Sequence, residues 1–323
     1  MINNIRNIQI FKPDELGNDE YHGEKWAAYS SGSELWAVHE TCPAQVRFGE
    51  HKETNALHFG TSSHAAILEP DEFSKLFVRG LDKEDFEIKS DADIKAKLKS
   101  MGRTGYSTKK YPDLIIMLLD SDDSLMPFSL AQTIQEIECK HDGKTIVKPD
   151  DYDKIMDMRG TMFNYQSNVE LFKDSVNELS IFAEVQIGEK WFNVKCRPDC
   201  ITKDKQIPDY KTTVSIEPEA FGRQAHNAGY WFKMAFTLDI VNAALGSGHT
   251  ASLLAQQKTA PYLVQKYDLT EQQLQIGREQ YTETLFKWQQ CKDGDNFPAY
   301  FDGSVELFTP EWAANMYGFD DLI

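Results

Sequence analysis

The chain has 323 residues and a net charge of −17, and 41% of its residues are hydrophobic and 12% aromatic. This composition is typical of a globular protein with a substantial core and excludes an intrinsically disordered chain. The acidic excess argues against a protein that coats nucleic acid, but it is compatible with an enzyme whose binding groove is locally basic.

The sequence predicts neither a membrane span nor a secretory signal. Apolar runs stay below the roughly 18 residues of a spanning helix, and the start, MINNIRNIQIF, lacks the apolar stretch of a signal peptide. The five scattered cysteines favour free thiols over a disulfide framework and do not form the cluster that a zinc or iron–sulfur site requires. We therefore expect a cytoplasmic protein without a membrane partner.

The first part of the chain predicts helices among polar segments. Residues 1–50 show little periodicity and predict an N-terminal extension. A helix is predicted over 56–77, because apolar residues recur at helical spacing up to Pro70, which stops or kinks it. The hydroxyls of residues 61–63 (Thr-Ser-Ser) are the expected N-cap.

The charged segment 81–126 predicts a partly helical insertion. Within it, the run KAKLKSMGRTGYSTKK (95–110) holds six lysines and arginines and no acidic residue. This run is either the solvated end of a helix with its loop or an arm that contacts phosphate. In the second case Arg103, Lys109 and Lys110 are expected to bind DNA.

The second half of the chain predicts β-structure between helices. A helix over 148–166 begins near Pro149 and precedes an apolar alternation that predicts a strand over 180–187. Short turns separate this strand from predicted strands over 191–201 and 206–214, so the three form a meander. The later segments are predicted as a helix from about Glu217 to Leu245, strands over 251–256 and 262–267, and a helix over 270–291. This order predicts an α/β fold with a central mixed β-sheet flanked by helices.

Carboxylates occupy positions on these strands where apolar residues are usual. Because side chains alternate along a strand, Asp209 and Lys211 share a face. On hairpin neighbours Asp199 would converge with them, and Glu184 on the first strand is a fourth candidate. Carboxylates this close repel each other unless a cation lies between them, and oxygen ligands suit Mg²⁺ or Mn²⁺. A structural ion pair between Asp199 and Lys211 would explain part of the same pattern without any chemistry.

Several motifs together resemble those of one family. KCRPDCITKDKQIPDYKTT, with SIFAEV and LHFGTSSHAAILEPDEF before it, resembles the PD-(D/E)XK nuclease superfamily. Within it, the sequence is similar to the RecB-like branch and to phage-type exodeoxyribonuclease VIII (RecE-type) exonucleases. TIVKPDDYDKIMDM resembles the helix before the family's first core strand, and LFTPEWA resembles its C-terminal signature. The resemblance runs from about residue 25 to the end and is poor over 81–126.

The resemblance implies a restriction-endonuclease-like core. We expect a single nuclease domain over 1–323, with 1–50 as an N-terminal extension and 81–126 as an insertion. The catalytic core would comprise 148–270 together with the 56–77 helix.

The resemblance also implies roles for individual residues. His64, in the run Gly60 to His64, matches a metal-binding histidine, although a buried or capping histidine would look the same. Asp199 and Asp209 match metal-binding and catalytic aspartates, and Lys211 matches the catalytic lysine. Glu184 matches an acidic position that binds the metal or supports a ligand, and the Tyr210 carbonyl is a further candidate ligand. Mg²⁺, for which Mn²⁺ can substitute, is the implied cofactor. An iron–sulfur cluster is not expected, because the C-terminal cysteine group of the cluster-containing members is missing.

One motif departs from the family pattern. The branch carries Q-x-x-x-Y on the helix after the lysine, whereas here His226 and Tyr230 have that spacing and the glutamine is Gln224. All three are expected to face DNA, either with His226 in place of the glutamine or with a shifted helix register. Packing alone is the alternative role for Tyr230.

The function that the resemblance implies is metal-dependent hydrolysis of double-stranded DNA from its ends. The expected polarity is 5′ to 3′, which leaves 3′ single-stranded tails for recombination and repair. A single-strand annealing protein and a ring-shaped homo-oligomer are the implied partners, and a phage-encoded member would act in the bacterial host cytoplasm. The alternatives are a RecB-like endonuclease or single-strand nuclease, and a non-catalytic acidic protein that binds a partner. Replacing Asp199 or Asp209 with alanine is expected to abolish cleavage and leave the fold intact.

Overall fold

The computed structural model describes residues 2–50 and 54–316. Residues 1, 51–53 and 317–323, which the predicted single domain includes, lie outside the described part. Among the described helices, none is both long enough and apolar enough to span a bilayer.

The chain folds into short and medium strands separated by helices. The strands are β1 (Asn4–Phe11), β2 (Ser30–Ser31), β3 (Phe77–Arg79), β4 (Thr145–Val147), β5 (Val176–Asn177), β6 (Ser180–Ile187), β7 (Lys190–Cys196), β8 (Cys200–Ile201), β9 (Gln206–Thr213), β10 (Thr250–Gln257) and β11 (Val264–Asp268). The α-helices are α1 (Asn18–His22), α2 (Gly32–Glu40), α3 (Pro43–Phe48), α4 (Asn55–Leu68), α5 (Pro70–Leu76), α6 (Asp91–Ser100), α7 (Tyr111–Leu119), α8 (Phe128–His141), α9 (Pro149–Asn164), α10 (Gln166–Phe172), α11 (Pro218–Asn227), α12 (Tyr230–Leu245), α13 (Glu271–Gly294) and α14 (Glu311–Met316). Short 3₁₀ turns cover Glu24–Trp26 and Lys83–Asp85.

β6 is an inner strand of a four-stranded mixed sheet with the order β1-β6-β7-β2. The alternation in SIFAEVQI predicted this strand with the bounds that it has, Ser180–Ile187. β6 and β7 form an antiparallel hairpin, and β1 pairs antiparallel with the other edge of β6. The first residues of the chain therefore complete the sheet.

The predicted meander is wrong in its third strand. In the described part of the chain, β9 pairs with β10 and not with β7, in a second mixed sheet with the order β11-β10-β9. The strand predicted over 191–201 is interrupted after Cys196, because Pro198 has no N–H to donate to a ladder. The chain resumes as β8, which pairs with β5. The fold is nevertheless α/β, with mixed β-structure flanked by helices, as predicted.

α12 connects the two sheets through one hydrophobic core. Its buried residues Phe232 and Ile240 belong to the same cluster as Ile181 of β6 and Leu253 of β10. α13 lies against α12 and extends this core with Tyr281. The sheet ends near the candidate site are thus fixed by packing on a shared helix.

The 81–126 segment has a small core of its own. α6 and α7 lie within it, and its buried apolar residues are Ile88, Ile94, Leu98, Leu114, Ile115 and Leu118. None of these residues belongs to the core around α12.

The helix predicted over 56–77 is two helices, α4 and α5. The break falls at Glu69, ahead of Pro70, as the proline predicted. The predicted N-cap at 61–63 is wrong, because the hydroxyl of Thr54 caps α4 and accepts a hydrogen bond from the Leu57 N–H. The hydroxyls of residues 62 and 63 lie inside the helix and donate to carbonyls one turn earlier.

The helix predicted from Glu217 to Leu245 is also two helices, α11 and α12. Gly229 lies between them with a φ of 66°, a left-handed conformation that glycine adopts without strain. A Cβ at this position would lie 2.1 Å from the Trp36 ring, so a larger residue would collide with α2. His226 and Tyr230 therefore do not share one helical face, contrary to the spacing argument.

Candidate active site

His64 and Asp199 are in direct contact. His64 lies on α4, and Asp199 lies in the turn between β7 and β8. Nε2 of His64 donates to Oδ2 of Asp199 over 2.9 Å. The same oxygen accepts a hydrogen bond of 2.7 Å from the backbone N–H of Tyr210 on β9. This bond fixes Asp199 to β9, although β7 and β9 belong to different sheets and do not pair.

Glu178 is the third member of this cluster. It precedes β6, and its backbone N–H donates to the Asp199 carbonyl over 3.2 Å, next to the pairing of β5 with β8. Its Oε1 is buried, lies 3.5 Å from Nδ1 of His64 and makes no hydrogen bond to any described residue. One nitrogen or oxygen from each of the three side chains lies within 4.8 Å of the others.

Asp209 and Lys211 form an ion pair beside the cluster. They share a face of β9, and Nζ of Lys211 lies 2.6 Å from Oδ2 of Asp209. The same ammonium donates to the Tyr210 carbonyl over 3.1 Å, which is the carbonyl expected to bind a metal. The structure thus groups Glu178 with His64 and Asp199 and pairs Asp209 with the lysine, while metal binding between Asp199 and Asp209 stays a prediction.

The cluster is strongly polarised. Burial lowers the pKa of His64, but the carboxylates of Asp199 and Glu178 outweigh it and raise the pKa to about 9. Burial would raise the pKa of Asp199, whereas the charges of His64 and Lys211 hold it at about 2. Burial, opposed by the charge of His64, raises the pKa of Glu178 to about 8. Perturbed titratable groups that converge in a cleft mark a candidate functional site.

The neighbouring pair is perturbed in a different way. Burial raises the pKa of Asp209, and the ammonium of Lys211 partly offsets this. Burial lowers the pKa of Lys211, but Asp209 and Asp199 outweigh it and raise the pKa above its ordinary value. Lys211 is therefore a fixed cation and not a base at neutral pH.

His64, Glu178 and Lys211 line a cleft of about 1280 Å³, whereas Asp199 and Asp209 are not among its lining residues. One wall is residues 13–20, and Arg197 ties this segment to the core: Nη2 donates to the Leu16 carbonyl over 3.2 Å, and Nε donates to Oγ of Ser180 over 2.8 Å. The wall carries Asp14, Asp19 and Glu20. Lys211 and Tyr230 also line the cleft.

Glu184 lies away from the cluster, contrary to the expectation. It is opposite Arg6 in the pairing of β1 with β6, and its Oε2 accepts hydrogen bonds of 2.8 and 2.6 Å from that guanidinium. Asn7 also donates to it. Arg6 reaches Glu184 only because β1 joins the sheet, and no local pattern around Glu184 predicts this pairing.

The three residues expected on the helix after Lys211 lie in different surroundings. Gln224 accepts a 2.7 Å hydrogen bond from the hydroxyl of Thr213 and so braces the end of β9. His226 is exposed and contacts Asn227 at 3.3 Å. Tyr230 lines the cleft, and the Lys211 ammonium lies over its ring, 5.5 Å from the centroid. Only Tyr230 of the three lines the cleft.

The basic run in the insertion lies outside the cleft lining. Arg103 and Lys110 are exposed, and Lys109 is half-buried. Lys110 is the residue that precedes α7, and Nη2 of Arg103 donates to the Asp120 carbonyl over 3.5 Å. The side chains of all three residues are therefore wholly or partly open to solvent.

Sequence reasoning missed Glu178 and assigned no role to Arg197. Glu178 stands two residues before the predicted strand, where an acidic residue has no periodic pattern to distinguish it from an ordinary loop residue. Its φ of 52° turns it out of the strand alternation. Arg197 stands two residues before Asp199, but the segment that it binds is 179–181 residues away in the sequence.

The donor set of the cluster fits a divalent cation. An imidazole nitrogen and two carboxylates suit Mg²⁺ or Mn²⁺, with the imidazole favouring Mn²⁺. The buried Oε1 of Glu178, which has no hydrogen bond among the described residues, is an acceptor that such an ion would satisfy. Lys211 offers a fixed positive charge next to this position.

Comparison with known proteins agrees with this architecture. The family described as "PDDEXK-like domain of unknown function (DUF3799)" matches residues 37–309. No curated protein matches the sequence.

The solved structures that match the chain include the following two. One is a protein from Eubacterium rectale that carries the name "Putative exonuclease", with 11% identity and a TM-score of 0.52, covering 93% of this chain and 97% of that one. Its likeness shows a shared fold. The other, named SSO0001, has 15% identity and a TM-score of 0.25 and covers 59% of this chain and 83% of that one.

Proposed function

The chain belongs to the family of PDDEXK-like domains (DUF3799), and from this premise we propose that it is a metal-dependent nuclease that hydrolyses phosphodiester bonds of DNA. The observation that carries the proposal is the juxtaposition of the cluster His64, Glu178 and Asp199 with the Asp209–Lys211 pair. The first set offers ligands for a divalent cation, and the second offers a fixed cation for the phosphate.

Each residue has a role in this mechanism. His64, Glu178 and Asp199 would hold Mg²⁺ or Mn²⁺. When bound, the ion neutralises charge on the phosphate and activates the attacking water. Lys211 stays protonated because of Asp209 and orients a non-bridging oxygen or the water. Tyr210 fixes both groups, because its N–H binds Asp199 and its carbonyl accepts from Lys211.

The finer proposal is an exodeoxyribonuclease that acts on ends of double-stranded DNA. The RecE-type motifs RPD and DYK support a 5′ to 3′ direction, 3′ tails for recombination, a single-strand annealing partner and a ring of identical subunits. The exonuclease name of the Eubacterium rectale protein also supports DNA ends as the substrate. Arg103, Lys109 and Lys110 would contact phosphates outside the cleft.

Digestion of linear double-stranded DNA labelled at one 5′ end tests the proposal. The reactions contain Mg²⁺ or Mn²⁺, a closed circle serves as the substrate control, and Lys211→Ala serves as the variant. We expect labelled mononucleotides from the linear substrate alone and none from the variant.

Other outcomes favour the alternatives. Cleavage of the circle would indicate an endonuclease, and cleavage of single strands alone would indicate a single-strand nuclease. Absence of cleavage with either ion would contradict the proposed function and favour a non-catalytic, partner-binding protein.

A further inference from the structure

Lys233 is a cation near the site whose ammonium has no anionic partner among the described residues. It lies on the first turn of α12, one turn after Tyr230, and is half-buried. Its ammonium makes no hydrogen bond and no ion pair with any described residue. A cation that is partly withdrawn from water without an anion to match it is costly, so its presence calls for an explanation.

Lys233 and Lys211 approach the same aromatic ring, although Lys211 lines the cleft and Lys233 is not among its lining residues. Its Nζ lies over the Tyr230 ring, 5.2 Å from the centroid, and Nζ of Lys211 lies over that ring at 5.5 Å. Two ammonium groups thus share one aromatic ring that lines the cleft. The stem of Lys233 packs beside Gly32, where an added Cβ would lie 3.7 Å from its Cα and Cγ. This packing limits the directions in which the side chain can turn.

The balance of charges identifies the missing partner. A divalent cation in the cluster would be matched by the carboxylates of Glu178 and Asp199, with His64 neutral. Lys211 is matched by Asp209. Lys233 forms no ion pair with a described residue, and the carboxylates that act on it from a distance are Asp209, already paired with Lys211, and Glu40. A phosphodiester, which carries a single negative charge, would supply the direct anionic partner.

We propose that Lys233 is a phosphate-binding residue that, together with Lys211 and over the ring of Tyr230, holds the phosphodiester next to the metal cluster. This inference rests on the proposed function. Lys233 would contact a non-bridging oxygen and offset the charge that develops on it during attack. Because the helix breaks at Gly229, α12 begins at Tyr230, and Lys233 lies in its first turn.

Kinetics of Lys233→Gln and Lys233→Arg provide the first test. We expect Lys233→Gln to lower kcat about 100-fold, the size of effect seen when one donor to a developing oxyanion is removed, and Lys233→Arg to restore most of the loss. The matched control is Lys292→Gln, because Lys292 is also a half-buried lysine over an aromatic ring, 5.3 Å from the centroid of Trp288. We expect this control to leave kcat unchanged.

DNA binding without turnover provides the second test. An oligonucleotide duplex with a neutral methylphosphonate at its terminal linkage, placed on each strand in turn, is compared with the ordinary duplex in Ca²⁺. We expect the wild-type protein to lose about tenfold in affinity for one of the neutral duplexes. Lys233→Gln should bind both duplexes equally, because the charge that discriminates between them is gone.

The outcomes separate this inference from the proposed function. An active wild-type enzyme with Lys233→Gln within threefold of its kcat, or with its discrimination between the duplexes intact, overturns the role of Lys233 alone. A wild-type protein that neither cleaves nor binds DNA, while it still binds Mn²⁺, overturns both.

Discussion

The carboxylate of Asp199, in the turn between β7 and β8, accepts a hydrogen bond of 2.7 Å from the backbone N–H of Tyr210 on β9. β7 and β9 belong to different sheets and do not pair with each other. A side chain thus replaces a ladder hydrogen bond at the point where Pro198 interrupts the first sheet. Asp199 therefore has a structural task in addition to any task in catalysis. Substitution of Asp199 is therefore expected to affect the stability of the protein as well as DNA cleavage.

Asp199→Ala is expected to lower the free energy of unfolding by about 1–3 kcal/mol, because it leaves the buried N–H of Tyr210 without an acceptor. This hydrogen bond modifies the expectation from the sequence that alanine leaves the fold intact. Asp199→Asn retains an acceptor oxygen and should lose less stability, although both variants should fail to cleave DNA. Urea unfolding in EDTA measures the difference, and equal midpoints for the two variants would contradict the role of the bond.

Glu178→Gln is expected to weaken Mn²⁺ binding by roughly tenfold or more, because it removes a charged ligand from the cluster. Glu184→Gln is the matched control, since Glu184 was the acidic residue expected in the site but contacts Arg6 instead. Calorimetric titration of each variant with Mn²⁺ measures the affinities. If Glu184→Gln weakened binding and Glu178→Gln did not, the assignment of the cluster would be wrong.

The metal-free protein is expected to lose stability as the pH rises from about 5 to 9. Glu178 has a pKa of about 8 in the folded protein against an ordinary 4.5, and His64 has about 9 against 6.5. The folded state therefore binds protons that the unfolded chain has released, and stability falls by at most about 1.4 kcal/mol per pH unit for each group.

Unfolding in urea with EDTA across this pH range tests the dependence. Glu178→Gln should remove the part between pH 4.5 and 8 that Glu178 contributes. Stability of the wild-type protein that instead rises over this interval would show that the sign is wrong.

Gly229→Ala is expected to destabilise the protein by about 2 kcal/mol, because the residue has a left-handed φ and its new Cβ would meet the Trp36 ring. Gly222→Ala is the matched control. Gly222 lies inside α11 with open space around it, so alanine there should be neutral or stabilise by up to about 1 kcal/mol. Thermal unfolding of both variants measures the contrast, and a loss of equal size at both positions would refute the argument.

Removal of the three basic residues of the insertion should weaken DNA binding in a salt-dependent way. Each of Arg103, Lys109 and Lys110 that contacts a phosphate contributes about 0.9 to the slope of log affinity against log salt. The triple alanine variant should therefore show a shallower slope than the wild-type protein. Lys287→Ala, which removes an exposed lysine of α13, is the control. An unchanged slope in the triple variant would indicate that this run is only a solvated surface.

The sequence predicted local features of the fold better than the connections between distant segments. The alternation in SIFAEVQI located β6 residue for residue, and the period of two placed Asp209 and Lys211 on one face, where they form an ion pair. Pro70 predicted the break between α4 and α5. Each of these signals depends only on neighbours in the chain.

Two differences between expectation and structure have a long-range cause. Glu184 is expected in the site because nothing near it in the sequence shows that β1 brings Arg6 to its side. At Gly229, the break between the helices is packed against the Trp36 ring of α2. Long-range partners decide such positions, and a single sequence does not reveal them. The N-cap at Thr54 is a local feature, but it lies before the apolar pattern that predicts the helix.

The separate core of the 81–126 segment has a consequence for protein engineering. Because its buried residues are not shared with the core around α12, changes in its length or composition leave the packing behind Asp199 and Lys211 untouched. We therefore expect substitutions in the small core of this segment to leave the geometry of the candidate site unchanged. The 81–126 segment is therefore a suitable position for inserting or exchanging a DNA-binding domain by protein engineering.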